Sequence, residues 1–471
     1  MSTLSLDRIR QLENFGHSIQ RSSYLFEVEN EADIQAALKL AEQEGLSIGA
    51  RGQGRSYGDA ALNGGQILMD FTRMKRILNW DPQSGVIRVE PGVTVAELWQ
   101  HVLGDGWWPP VVPGTMFPTL GGCLASNIHG KNNWVAGTLG EHVLEFEALL
   151  PSGKKVICSK GKNKELFEAM IGGMGMLGIF TSISLQLKPI QSGDVRVLAW
   201  AEPDLAGMLQ AVDANKSADY VVGWVDCTQG GKALGRGQIH RAEYVSGEDD
   251  PDPSRSLRLD HQALPSRIAG VLPRGLLHRA MQPLTNNLGT RLINFARYTQ
   301  ARRLQHRRKF RESLAAFSFL LDYVPNWERA YGEGGLIQYQ SFVPKAEAEA
   351  CFRALLELSQ RRGLPAYLGV LKRHRPDPFL LSHAVDGFSL ALDFRVRPRN
   401  RERLLALLAD MDDIVLKHGG RFYFAKDSHL SAKNVSAYLG EEAMTAFRAL
   451  KAEYDPKHLL QSDLYRRCFS E

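Results

Sequence analysis

The chain has 471 residues, 44% of them hydrophobic and 23% charged, enough for two domains with their own cores; disorder, a collagen-like repeat and a small disulfide scaffold are excluded. The net charge of +5 is too small to argue for a nucleic-acid partner, but it is unevenly spread. Residues 251–311 hold twelve Arg and one Lys against two Asp, a local +11 that leaves −6 for the remainder. Five scattered cysteines without a CxxC fit a reduced compartment and no structural zinc. The first residues lack the apolar stretch of a signal peptide, and no run approaches the ~20 apolar residues of a membrane span. A cytoplasmic protein is expected, with any membrane contact peripheral.

In chain order, Asn30 caps a helix over 30–42, where Ile34, Ala37, Leu38 and Ala41 recur at helical spacing before Gly45. Strands are predicted at 46–50, 67–70 and 86–90, and Thr94 with Glu97 forms a capping box for the next helix. A hairpin over 143–150 and 155–158 turns at Pro151-Ser152-Gly153, followed by a helix over 164–170 and a strand over 179–187. Beyond residue 195, strands are predicted at 220–226, 336–343, 366–372, 388–396 and 421–426. Helices are predicted at 346–360, ending at Gly419, and ending near Asp455-Pro456. In the 388–396 strand Phe388, Leu390, Leu392 and Phe394 share a core face, leaving Ser389, Ala391, Asp393 and Arg395 to line a cavity.

Glycine carries the functional signal. A literal GxGxxG spans Gly173–Gly178, but a helix precedes it and a strand follows, the reverse of a nicotinamide-binding Rossmann unit. Arg51–Asp59 (RGQGRSYGD) interleaves three glycines with Arg55, Ser56 and Tyr57; such a nest can direct amides at a diphosphate, or can be a tight loop needing positive φ. A second cradle runs through Gly114-Thr115, Thr119, Gly122, Ser126 to Gly130 and Gly137, and Gly172–Gly178 makes a third. Three such loops in one α+β region suit a long dinucleotide, and FAD is the economical candidate.

The order RGQGRSYGD, PGT…GG, NIHGKN and GGMGMLGI resembles the FAD-binding domain of the vanillyl-alcohol oxidase, or PCMH-type, flavoproteins. Trp327–Gly332, LIQYQSFVP at 336–344, AKDS at 425–428 and Ser462-Asp463 extend the likeness over both halves, towards the branch acting on lipid-phosphate-linked pentoses. The resemblance implies an α+β fold of two domains. An FAD-binding domain is expected over 1–194, a substrate domain on an antiparallel sheet over 195–405 with the basic insertion 251–311, and a segment completing the flavin site over 406–471. It implies that FAD is lined by Arg51, Gly52, Gly54, Arg55, Ser56, Tyr57, Gly58, Gly114, Thr115, Thr119, Gly122, Ser126, Asn127, His129, Gly130, Ala136, Gly137, Ile179 and Tyr423. Many members attach FAD through a His in the first loop; Arg55-Ser56-Tyr57-Gly58 has none, so the flavin is expected to be non-covalent.

The implied reaction oxidises a sugar secondary alcohol, the 2-hydroxyl of a polyprenyl-phosphate pentose, as the first half of an epimerisation completed by a partner reductase, in making a cell-wall polysaccharide precursor. Lys426, His129 and Tyr57 are the expected catalytic residues, and Gln338, Gln340, Lys372, Ser389, Ala391 and Trp224 the substrate contacts; no metal is expected. Each has a plainer alternative: Lys426 and Lys372 as solvated lysines, His129 as a loop histidine, Trp224 as core. The family's cysteine over the flavin is replaced here by Ala391, and a neighbouring asparagine by Ser389, which puts the substrate's exact shape in question. An aldonolactone or alditol oxidase using oxygen, a non-catalytic flavin protein, and a nucleic-acid binder using the arginine-rich stretch are the alternative functions. The insertion mixes Leu264, Ile268, Val271, Leu272, Leu276 and Leu277 with Arg267, Arg274 and Arg279, and reads either as a solvated, mobile loop or as a membrane-facing flap, the latter expected to be poorly ordered without lipid.

Overall fold

A computed structural model describes residues 4–268 and 272–470. The fold is α+β and is organised around three sheets. A four-stranded mixed sheet has the order Ile9–Glu13, Gln20–Glu27, Ile67–Asp70 and Ile48–Arg51. Helix Glu31–Glu44 packs on it, fixed by an Asn30–Asp33 capping box and ended by Gly45 at φ +64°. A five-stranded antiparallel sheet has the order Ile77–Asp81, Val86–Val89, Ile179–Gln186, Val143–Leu149 and Lys155–Ser159.

The third sheet has eight antiparallel strands in the order Arg308–Ser313, Asp194–Glu202, Gly237–Tyr244, Tyr220–Val225, Leu368–His374, Gly387–Arg395, Leu336–Pro344 and Arg421–Phe422. One face is closed by helices Leu205–Ala214, Ala348–Arg361 and Arg401–Lys417 over Leu371, Leu390, Leu392 and Phe394. Register then sets the opposite face, since paired residues project to the same side. Gln338 opposes Asp393, Gln340 opposes Ala391, and Phe342 and Lys372 both oppose Ser389. The alternation read from residues 388–396 thus separates a core side from a polar side.

The chain's last residues return to the first sheet, where Ile48 N–H donates to Leu459 O at 2.7 Å and Gln461 N–H to Ile48 O at 3.0 Å. Lys451, 2% exposed on helix Glu441–Tyr454, anchors that return. Its Nζ donates to Asp455 Oδ2 at 2.6 Å, Leu460 O at 2.6 Å and Met176 O at 2.7 Å.

Two expectations are corrected. The strand predicted over 421–426 ends at Phe422; the chain then turns, with Lys426 and Asp427 N–H donating to Tyr423 O, so that Ala425 O can receive Tyr57 N–H. The insertion is not irregular throughout: its described residues include helices Pro253–Ser256, Leu277–Met281 and Asn287–Arg303, bury Gln262, Asn294, Tyr298 and Ala301, and lead into the sheet's edge strand Arg308–Ser313. Val271 and the side chains of Ile268 and Leu272 lie outside what the structure describes. Among the described residues no helix is long and apolar enough to cross a membrane.

Lys451→Met leaves the Asp455 carboxylate buried without its cation, so chemical denaturation should show a loss of about 3–5 kcal/mol.

Candidate functional site

The first glycine loop is held by its own backbone and by Arg51, whose guanidinium donates to Ala61 O at 2.9 Å and Glu13 O at 3.0 Å. Gly54 sits at φ +62° against that guanidinium. At Gly58 an ideal Cβ would stand 1.5 Å from Asp427 O, and at Gly52 one would stand 2.1 Å from Thr119 Oγ1. Only bare backbone lets this loop touch both the second cradle and the 423–428 turn.

In the second cradle, Thr119 caps helix Leu120–Ala125 by accepting from Gly122 N–H, and the chain turns through Ser126 and Asn127, the latter at φ +43°. Asn127 Nδ2 donates to Thr138 Oγ1 at 3.0 Å and Asp377 Oδ2 at 3.1 Å, while its Oδ1 accepts from Gly140 N–H. Gly137 adopts φ +74°, ψ −149°, and Ala136 O lies 2.8 Å from His142 Nε2. The third cluster lies against the same helix, with Gly172 N–H donating to Leu124 O and Met174 N–H to Ala125 O. The GxGxxG therefore closes helix Lys164–Met170 and opens none. A narrow cavity between the second and third clusters is lined by Ser126, Asn127 and Gly172 and, from other segments, by His383 and Tyr423.

Where loops and sheet meet, His129 is 6% exposed. Its Nε2 lies 3.2 Å from Gln340 Nε2, and its ring centroid is 4.9 Å from His374, 5.3 Å from Tyr423 and 5.4 Å from His383. Ser389 Oγ takes a bond from Gln340 at 3.4 Å and lies 2.7 Å from His374 Nε2. Gln338 donates to Asp393 at 2.6 Å. Lys426 Nζ stands 3.6 Å from the centroid of the Tyr57 ring, a cation–π contact.

Burial dominates the electrostatics. It holds His129 far below the ordinary histidine range, helped by Lys372, His374 and His383, and pushes His383 down to about 3. It also lowers Lys426 to about 7 and Lys372 to about 8, and raises Asp393 to about 6. At neutral pH the histidines are neutral, and two readily deprotonated lysines supply the positive charge.

The structure thus brings together His129, Tyr57, Gln338, Gln340, Lys372, Ser389, Ala391, Tyr423 and Lys426. Thr115 Oγ1 is bonded to Asp322 at 2.7 Å, and Ile179 packs in the core with Ile48 and Met69. Trp224 shares the sheet's polar face but is covered by Tyr298, Ala301 and the Arg297 guanidinium 4.3 Å away, which favours its core reading. His374 and His383 were missed. The first was legible, since it lies two residues beyond Lys372 on one strand and so faces the same side; His383 sits in a loop with no period to place it.

Tyr57 Oη, His129 Nδ1, His374 Nδ1 and His383 Nε2 are buried and have no hydrogen-bond partner among the described residues. An unmet buried polar atom costs about 1–3 kcal/mol, so several converging on glycine loops fit a polar ring system seated among them. Such a cradle beside a polar sheet face defines an FAD-linked oxidoreductase. Residues 22–159 match an FAD binding domain family. The chain is 30% identical to decaprenylphosphoryl-β-D-ribose oxidase of Mycolicibacterium smegmatis over 95% of its own length and 94% of the relative's. It is 30% identical to an uncharacterized protein in the mprA 5′ region of Streptomyces coelicolor, covering 80% of this chain and 99% of that one. It is 28% identical to D-lactate dehydrogenase of Anaerostipes hadrus over 36% of the chain and 37% of the relative. The chain belongs to the PCMH-type FAD-linked oxidoreductases, in the family of the decaprenylphosphoryl-β-D-ribose oxidase, and FAD is its cofactor.

Gly58→Ala forces a methyl into Asp427 O and should purify largely colourless, whereas Gly161→Ala, with nothing within 4 Å of its Cβ, should keep its flavin absorbance.

Proposed function

We propose that this enzyme oxidises the 2-hydroxyl of a polyprenyl-phosphate-linked pentose, the first half of a 2-epimerisation that a partner reductase completes. One observation carries the reading: the likeness to decaprenylphosphoryl-β-D-ribose oxidase runs over 95% of the chain, whereas the relative named D-lactate dehydrogenase matches only 36%. The FAD is held without a covalent bond, because the first loop offers no histidine.

The glycine loops around Arg51–Gly58 and Thr119–Gly137 would hold FAD, which would supply the hydride acceptor for oxidation at the carbinol carbon. The chain's own residues orient the alcohol and manage its proton. Neutral His129 positions the hydroxyl by hydrogen bonding. Lys426 Nζ, steadied on the Tyr57 ring, stabilises the developing alkoxide while neutral His129 takes the hydroxyl proton. Gln338, Gln340 and Ser389 present amide and hydroxyl groups to the sugar, Ala391 leaves space beside them, and Lys372 meets the phosphate.

The test is anaerobic addition of prenylphosphoryl-ribose to the holoenzyme. The flavin band should bleach, and free ribose or alditols should leave it unchanged; bleaching by alditols alone would favour the alditol-oxidase alternative. Lys426 is cationic below its folded value and loses its charge as pH rises through it. The turnover profile should therefore fall on an alkaline limb at or above about 7, which Lys426→Arg moves upward and Lys426→Met abolishes together with most activity.

The same reading places an anionic bilayer surface against helix Asn287–Arg303. Its Leu288, Leu292 and Phe295 are 68%, 59% and 56% exposed among Arg291, Arg302 and Arg303. Apolar anchors amid cations match such a surface. Leu292→Glu with Phe295→Glu should release the protein from anionic vesicles in a flotation assay without changing its melting temperature.

A further inference from the structure

A second cavity, of about 410 Å³, opens where the start of helix Asn287–Arg303 meets the 363–367 loop and the 395–404 segment. Arg395, Arg397, Arg399 and Arg403 line it, together with Tyr367, and no carboxylate does. Just outside it, Arg361 pairs with Glu357 and Arg362 with Asp410. None of the four lining arginines has a carboxylate partner among the described residues. Arg395 reaches Thr285 O, but its Nε is buried with no acceptor, and Arg403 donates only to Arg362 O at 3.0 Å.

The arrangement is built by the backbone. Asn400 accepts from Arg397 N–H at 2.7 Å and donates to Arg395 O at 3.1 Å, folding the RVRPRN stretch so that its guanidinia gather at one mouth. Burial, then Arg397 and Arg399, hold the Arg395 pKa down, as expected of cations crowded without a counter-charge. The helix end contributes little, because Asn286 Oδ1 already accepts from Leu288 and Gly289 N–H. The redox cluster is separated from the cavity by a wall of rings. Tyr367 stacks on Tyr331 at 6.1 Å, Tyr331 abuts Trp327 at 6.1 Å, and Trp327 lies 6.4 Å from Tyr57.

We propose that this arginine-lined cavity is a second anion site that binds a phosphate or diphosphate group, separate from the site of oxidation. Guanidinium forks match phosphate oxygens two by two, and a dianion would neutralise a cluster that the protein leaves unpaired. The group can arrive as a soluble phosphate or as a lipid headgroup; the exposed Leu288 beside the mouth would take the lipid's apolar part. The proposal does not depend on the identity of the sugar.

The test titrates inorganic pyrophosphate into the full-length holoenzyme by calorimetry. Three proteins are compared: wild type, Arg397→Gln with Arg399→Gln, and a control, Arg353→Gln with Arg361→Gln, which loses the same charge on helix Ala348–Arg361. Saturable binding is expected, weakened about tenfold or more in the first variant and unchanged in the control. A second arm measures retention on phosphatidylcholine vesicles containing phosphatidic acid. Retention that needs Arg397 and Arg399 and is displaced by pyrophosphate identifies a headgroup seat, and pyrophosphate binding without such retention identifies a soluble ligand. Absence of saturable binding, equal binding by the Arg397/Arg399 variant, or an equal loss in the control would each overturn the proposal.

Discussion

The architecture of the site depends on one close approach of bare backbone. Gly58 lies so near Asp427 O that no side chain fits between them, and Tyr57 N–H bonds to Ala425 O at 2.9 Å. The first glycine loop is thereby seated on the turn that follows the outermost strand of the large sheet. Arg467, from the last helix, locks the junction by pairing with Asp59 at 2.7 Å and Asp427 at 2.9 Å. Burial pushes the Asp427 carboxyl up, but Arg467 and His429 overcome it and hold the group below its ordinary value. Three distant parts of the chain meet here, and Lys426 projects over Tyr57 because of it.

Charge in the neighbouring cluster follows from enclosure. Three buried histidine rings and two partly covered lysines share one enclosed region, and burial discharges the histidines while leaving the lysines poised near neutrality. A site with neutral imidazoles and labile ammonium groups suits a reaction in which an alcohol loses a proton and negative charge develops. In open water the same side chains would be solvated and independent.

The arginine cavity shows the opposite arrangement. Its cations are partly exposed and have no carboxylate partner among the described residues, and the row of rings from Tyr367 to Tyr57 lies between it and the redox cluster. The insertion that supplies Asn286 and Asn287 to its lining is docked by Gln262, which donates to Gly193 O, by Asn294, which donates to Asp226, and by the buried Tyr298, so this arginine-rich stretch is in part helical.

Local order was largely legible along the chain. The Asn30 and Thr94 capping boxes, the 151–153 turn and the alternation through residues 388–396 are short-range effects of hydrogen bonding and side-chain period, and they act in any context. The glycine loops pointed to FAD for the same reason, because a nest of amides is a local structure. Tertiary structure alone decided which polar residues share a volume. Nothing in the chain order sets His383 beside Tyr423, covers Trp224 with Arg297, or stops the 421 strand after two residues. Those outcomes depend on strand register and on the fit of bare glycine backbone against a distant turn, which are interactions between segments tens to hundreds of residues apart.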